Sequence, residues 1–229
     1  MSSLLLDPAQ LERPDTLVFT EPFAFMVSHA MLPHARRKAL DHDFPAYREA
    51  GFFPYDPDEC GPSIRELVDN LTTPAFADAI GEHLGIDNLA RYPTLVTICR
   101  FLNRRHGTIH TDSTSKVATA LIYLNESWPD TSAGCLRFLR AIDNIDATVG
   151  PEIKPLYGEF VAFRRSDNSF HGHLPHEGER RVIQVAWLVS EEARLRKTQR
   201  GRFSRAFKKL FGKLDRKVGA GRDRNASHR

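Results

Sequence analysis

The feature that most constrains this chain is a change of texture at Tyr92-Pro93. Beyond it, TLVTICRFL, KVATALIYLN, GCLRFLR, GEFVAFR and RVIQVAWLV recur as short runs rich in Val, Ile, Phe and Tyr, divided by Gly, Pro, Asn and Asp. Runs of that length and composition are strands. Before the change the pattern is helical. LPHARRKALDHDF, from about Leu32 to Phe44, carries Pro33 in an acceptable first-turn position. SIRELVDNLT offers Ser63 as N-cap with Glu66 three residues on, a capping box. TPAFADAIGEHLG offers Thr73 as cap, Pro74 at the first position and Gly85 as the stop. Helices first and strands afterwards predict an α+β chain: an antiparallel sandwich or barrel against an N-terminal helical layer. Residues 1–27 read as a lead-in with short apolar stretches at Leu17-Val18-Phe19 and Pro22-Phe23-Ala24-Phe25.

With 229 residues, one domain with a substantial core is expected, plus an appendage. No apolar run approaches the roughly 18–20 residues that span a bilayer, and MSSLLLDPAQ lacks the basic start of a secretory signal. The three cysteines, Cys60, Cys99 and Cys135, are widely spaced without a CxxC pair. That pattern argues against a disulfide framework or a thiolate zinc site and favours a reducing cytoplasm. Charge is divided unevenly. Residues 1–193 carry 18 Lys+Arg against 27 Asp+Glu (−9), and residues 194–229 carry 14 against 2 (+12). The chain reads as an acidic body with a basic tail.

Chemistry concentrates in RFLNRRHGTIHTDSTSKVATALIYLN and FVAFRRSDNSFHGHLPHEGERRVIQVAWL. A non-haem iron site needs two imidazoles and one carboxylate on one face of the metal, leaving adjacent positions open. In His110-Thr111-Asp112 the strand period of two turns both outer side chains to one side. The third ligand must come from a distant strand, and His171 stands at the end of FVAFRRSDNSF. An oxo-acid co-substrate then needs a cation inside the pocket, for which Arg180 and Arg181 are the candidates.

Read in order, His110-Thr111-Asp112, Tyr123-Leu124-Asn125 followed by Trp128, Gly134 to Phe138, Gly158 to Phe163, His171…Pro175…Gly178 and the Arg-rich strand ending at Trp187 resemble the prolyl-4-hydroxylase-like 2-oxoglutarate/Fe(II) oxygenases. The resemblance covers about Arg100 to Leu188. It implies a double-stranded β-helix (jelly-roll) core with iron at one mouth, Tyr123 hydrogen-bonded to 2-oxoglutarate, and an arginine after His171 on its far carboxylate. Counting from His171 and Gly178 selects Arg180. Counting back from Trp187 selects Arg181, which shares a strand face with Ile183 and Val185 and is given the slight preference. Implied cofactors and co-substrates are Fe(II), 2-oxoglutarate and O2, with ascorbate as an optional reductant. The implied reaction is hydroxylation of an unidentified substrate, a prolyl residue or a small molecule, with release of succinate and CO2.

Two other readings of the same residues stay open: a zinc hydrolase using the same triad, and a jelly-roll binding module without catalysis. Among the remaining groups, His106 is a loop residue that could rim the mouth, and Arg100 lines the pocket or faces outward. A surface cluster of His171, His173 and His176 is the bland alternative to the ligand reading, in which His173 points to the other face if the segment bends and His176 lies in the turn. Cys99 and Cys135 read as small buried hydrophobes.

The expected units are 1–92 (helical layer of the same domain), 93–192 (catalytic core) and 193–229 (basic tail). In the tail Phe203, Phe207, Leu210, Phe211 and Leu214 form one helical stripe amid Lys and Arg. Such a basic amphipathic helix over 202–217 can pack on the acidic body, lie on an anionic membrane surface or dock a partner, with nucleic acid the least favoured. Residues 218–229 read as disordered.

Overall fold

The computed structural model describes residues 5–205. Thirteen elements build the body: β1 (Leu17–Phe19), β2 (Phe25–Ser28), α1 (Arg37–Asp43), β3 (Phe52–Pro54), α2 (Pro62–Leu71), α3 (Pro74–Leu84), β4 (Thr94–Leu102), β5 (Lys116–Tyr123), β6 (Leu136–Leu139), β7 (Thr148–Ile153), β8 (Phe160–Arg164), β9 (His171–Gly172) and β10 (Gly178–Leu188). Two sheets face one another. The larger runs β1-β2-β8-β5-β10-β4-β3 and the smaller β7-β6-β9, with every strand pair antiparallel. This is the expected jelly-roll core with helices on one side.

Alternation along the central strands makes two cores. Ala118, Ala120 and Ile122 of β5, with Ile183, Val185 and Trp187 of β10, join the helical residues Ile64, Leu67, Phe76 and Ile80 in one buried cluster. Side chains on the opposite face, Leu121, Tyr123 and Val182, meet Leu136, Phe138 and Val149 of the small sheet in a second. The period of two thus decides which residues of β5 and β10 see the helices and which see the space between the sheets.

The strand predictions over 94–102, 116–125 and 181–189 lie on β4, β5 and β10, the last of which begins three residues earlier, at Gly178. Three differences stand out. The lead-in supplies β1 and β2, which extend the large sheet past β8, and β3 closes its other edge against β4, so the first 92 residues contribute strands as well as helices. The expected helix from Leu32 is α-helical only from Arg37, after a tighter turn over His34–Arg36. The Ser63 cap is also corrected. Gly61 is the N-cap and Pro62 the first residue of α2, while Ser63 gives its backbone N–H and its hydroxyl to Asp43 Oδ2 at 2.7 and 2.6 Å. The carboxylate at the end of α1 thereby serves the start of α2, and the Ser63 hydroxyl bond foremost holds Asp43 at about 2. Glu66 instead pairs with Arg36. In α3 the expected ends are found: Thr73 Oγ1 accepts from Phe76 N at 3.3 Å, and Gly85 takes a left-handed φ of +63°.

Residues 191–205 are helical and lie back on the body. Lys197 Nζ donates to Ser113 Oγ at 2.9 Å. The Arg205 guanidinium sits 3.7 Å over the Tyr47 ring, and its Nη2 donates to Glu59 at 2.9 Å. Phe203 is 78% exposed, so the first member of the aromatic stripe does not pack on the body. Phe207, Leu210, Phe211 and Leu214 lie outside the described residues, as do 218–229. No helix among the described residues is long and apolar enough to cross a membrane. The three cysteines are buried thiols outside any disulfide.

Candidate active site

His110, Asp112 and His171 come together. One ligand atom from each lies within 4.8 Å of the others, the one such group of His, Cys, Asp and Glu side chains among the described residues. The backbone causes this convergence. His110 and His171 form an antiparallel bridge, exchanging N–H···O=C bonds of 3.1 and 3.0 Å, so the HTD segment extends the small sheet beyond β9. Their rings then face each other with centroids 4.4 Å apart.

Each imidazole is fixed through its inner nitrogen. His110 Nδ1 is 2.7 Å from the Thr108 carbonyl and His171 Nδ1 is 2.9 Å from the Ser169 carbonyl. A carbonyl can only accept, so Nδ1 carries the proton and the lone pair is left on Nε2, as in metal-binding histidines held by an outer shell. His171 is buried, and its ring lies 4.6 Å from that of Phe163. Burial foremost pushes its pKa down to about 4, which keeps it neutral. Asp112 is held just as firmly: Lys116 Nζ donates to Oδ1 at 2.8 Å and Thr119 Oγ1 to Oδ2 at 2.6 Å. Burial pushes the carboxyl up, but the Lys116 and His171 charges and these two hydrogen bonds outweigh it and bring the pKa to about 2. Two neutral imidazoles and an ionised carboxylate suit a divalent iron ion with open positions.

Tyr123 and Arg180 line the space between the sheets. Arg180 is 3% exposed; its Nε donates to the Gly134 carbonyl at 2.8 Å and its Nη2 to the Tyr123 hydroxyl at 3.1 Å. No side-chain carboxylate pairs with it among the described residues. Glu179 is taken by Arg100 and Arg181, and Asp41 by Arg181. A buried guanidinium without an acid partner is costly and calls for an anion.

Arg181 points the other way. It pairs with Asp41 of α1 and Glu179 and lies over Phe44. The expectation that it shares a face with Ile183 and Val185 is met, but that face looks at the helices. Arg181, given the slight preference from sequence, thus lies on the helical side, whereas Arg180, on the face of Val182, enters the space between the sheets.

The remaining candidates divide. Arg100 turns outward, to Glu179 at 2.8 Å and the Pro45 carbonyl at 3.1 Å. His106 Nδ1 accepts from Asn103 N at 3.1 Å within its loop. His173 is buried rather than superficial, with Nδ1 donating to the Leu174 carbonyl at 2.8 Å. His176 lies against Trp128, ring centroids 4.6 Å apart.

Sequence reasoning passed over three supporting residues. Lys116 and Thr119 hold the Asp112 carboxylate; Thr119, seven residues on and on β5, could have been found as a polar residue in an otherwise apolar strand. Asn125, noted only as part of YLN, accepts from Arg181 N at 2.9 Å and donates to the Pro155 carbonyl, fixing the start of β10 against β5.

The 2OG-Fe(II) oxygenase superfamily model matches residues 96–189, the stretch that holds all these groups. The chain carries a 2OG-Fe(II) oxygenase domain. It is similar in fold to a prolyl-4-hydroxylase from Pseudomonas putida, with a TM-score of 0.50 at 20% identity, over 72% of this chain and 84% of that one. Two further matches are a prolyl hydroxylase from Trichoplax adhaerens in complex with a hypoxia inducible factor peptide fragment (TM-score 0.49, 16% identity, 84% and 90% of the two chains), and the viral collagen prolyl hydroxylase of Paramecium Bursaria Chlorella virus-1 (TM-score 0.49, 16% identity, 71% and 93%). No curated protein matches significantly. Residues 96–189 thus form the dioxygenase domain, and the likeness to the prolyl-4-hydroxylase is one of fold.

Proposed function

We propose that this oxygenase domain hydroxylates a C–H bond of a substrate that approaches from the His110 side, with His110, Asp112 and His171 as the iron ligands and Arg180 and Tyr123 as the 2-oxoglutarate contacts. The balanced reaction is R–H + O2 + 2-oxoglutarate giving R–OH + succinate + CO2. Bound iron supplies the redox chemistry that couples oxidation of the oxo acid to oxidation of the substrate.

The protein's share is positioning. The Thr108 and Ser169 carbonyls orient the two imidazoles, and Thr119 and Lys116 orient the carboxylate. Arg180 has five N–H donors and gives two of them to Gly134 and Tyr123, so three remain for a carboxylate. His110 is the exposed member of the triad, whereas Arg180 is buried. Co-substrate inside and substrate outside is the order these exposures favour. Phe163 and Phe138 beside His171 keep that flank dry.

The observation that carries this reading is the buried, acid-free Arg180 beside Tyr123 in the same inter-sheet space as His171. A zinc hydrolase with this triad would have no use for it, and a binding module would need neither it nor the fixed imidazoles. Succinate release from 2-oxoglutarate, dependent on added Fe(II) and lost in Asp112→Ala, tests the proposal. Turnover without iron, or an unimpaired Asp112→Ala variant, would count against it.

A further inference from the structure

The carboxylate ligand already has a cation. Lys116 Nζ lies 2.8 Å from Asp112 Oδ1 with both side chains nearly buried, 11% and 9% exposed, while Thr119 holds the other oxygen at 2.6 Å. Both carboxylate oxygens therefore have donors, yet a divalent ion needs one of them. A second ammonium group is close: Lys197 of the C-terminal helix reaches Ser113 Oγ, next to Asp112 in sequence, at 2.9 Å, and Arg165 Nε donates to the Asp112 carbonyl at 3.3 Å. The surroundings of the one anionic ligand are thus markedly positive.

We propose that Lys116 is a built-in counter-ion that stands in for the metal on Asp112, holding the carboxylate in place when no ion is bound and weakening metal binding by its own charge. The inference rests on the iron-site reading above. Its physical basis is simple. An ammonium in contact with a ligand oxygen lies within a few ångströms of any ion that oxygen coordinates, and like charges at that separation in a buried setting repel strongly. The Thr119 bond, being neutral, orients the carboxylate without that repulsion. Lys116 is accordingly a positioning residue with a cost, making the site easier to keep folded empty and harder to fill. Removing its charge should lower the stability of the metal-free protein, because Asp112 is then buried with no cation, and should tighten the metal.

The test is calorimetric titration of the full chain with Mn2+ alone, with thermal unfolding before and after metal. Lys116→Met is expected to bind Mn2+ at least about tenfold more tightly than the unchanged protein, to melt lower without metal, and to gain more from metal. Lys116→Arg, which keeps the charge, is expected to resemble the unchanged protein. Should Lys116→Met fail to fold, Lys116→Gln reads the same affinity. Unchanged or weaker Mn2+ binding by the neutral variants overturns the counter-ion proposal and leaves the metal centre standing. Failure of the unchanged protein to bind Mn2+ overturns both.

Discussion

Replacing Arg180 by Met separates the two arginines that the sequence leaves side by side. Arg180 is 3% exposed and engages only a carbonyl and a phenol; on the present account the co-substrate carboxylate completes its hydrogen bonding. Truncating one partner of a buried, hydrogen-bonded charge pair costs about 2–5 kcal/mol. A central value of about 3 kcal/mol corresponds to roughly 150-fold in affinity. Calorimetric titration with 2-oxoglutarate in the presence of Mn2+ reads this directly, and the KM for 2-oxoglutarate in a succinate-release assay should rise in parallel. The variant has a second signature. Without co-substrate it loses an uncompensated buried cation, so Arg180→Met should melt no lower than the unchanged protein, and higher if Met packs well. Arg181→Met is the control: it breaks the pairing with Asp41 and Glu179 and the contact with Phe44, so it should lower the melting temperature and leave 2-oxoglutarate affinity within a few-fold. Wild-type affinity in Arg180→Met, or the large loss appearing in Arg181→Met instead, refutes the reasoning.

Other outcomes follow from the same geometry. His171 and His173, both pushed down to about 4 chiefly by burial, stay neutral in the fold while the unfolded chain takes up protons below its ordinary value of about 6.5. Their contribution is therefore complete above pH 6.5 and lost as pH falls towards 4, up to about 3 kcal/mol each; urea midpoints of metal-free protein should fall over that range, and less steeply in His171→Asn. Gly107 has φ +88°, and a Cβ there would overlap the His173 ring, so Gly107→Ala should cost about 1–3 kcal/mol in denaturant unfolding; no loss would show that the loop yields freely. Asn125→Ala strands the Arg181 N–H and the Pro155 carbonyl and should destabilise by about 1–3 kcal/mol, with unaltered midpoints contradicting the clamp role.

The cluster of His110, Asp112 and His171 was legible because its spacing is local on one side: His110 and Asp112 need only the period of two, and His171, which opens β9, follows the readable strand β8 by seven residues. Arg180 was obscured for the opposite reason. Alternation sorts Arg180 and Arg181 onto opposite faces, but a central strand of β10's kind is apolar on both, so composition does not reveal which face meets the helices. The outer strands β1 and β3, and β2 beside β1, were hidden by their shortness, three or four residues each. β7 was hidden by Gly150 and Pro151 within a largely exposed run. Ser63 looked like a cap because its neighbours fit the pattern, yet the carboxylate it serves, Asp43, is twenty residues away. Pairings at that separation, like that of Asn125 with Arg181, are created by the fold.

The central claim, that two fixed imidazoles and an ionised carboxylate hold iron for 2-oxoglutarate oxidation, is tested most directly by anaerobic Fe(II) titration followed by single-turnover succinate measurement on admitting oxygen. One iron per chain and iron-limited succinate in the unchanged protein, with both lost in His171→Ala, is the predicted result. Succinate formed at the unchanged rate by His171→Ala, or no iron bound by the intact chain, would contradict it.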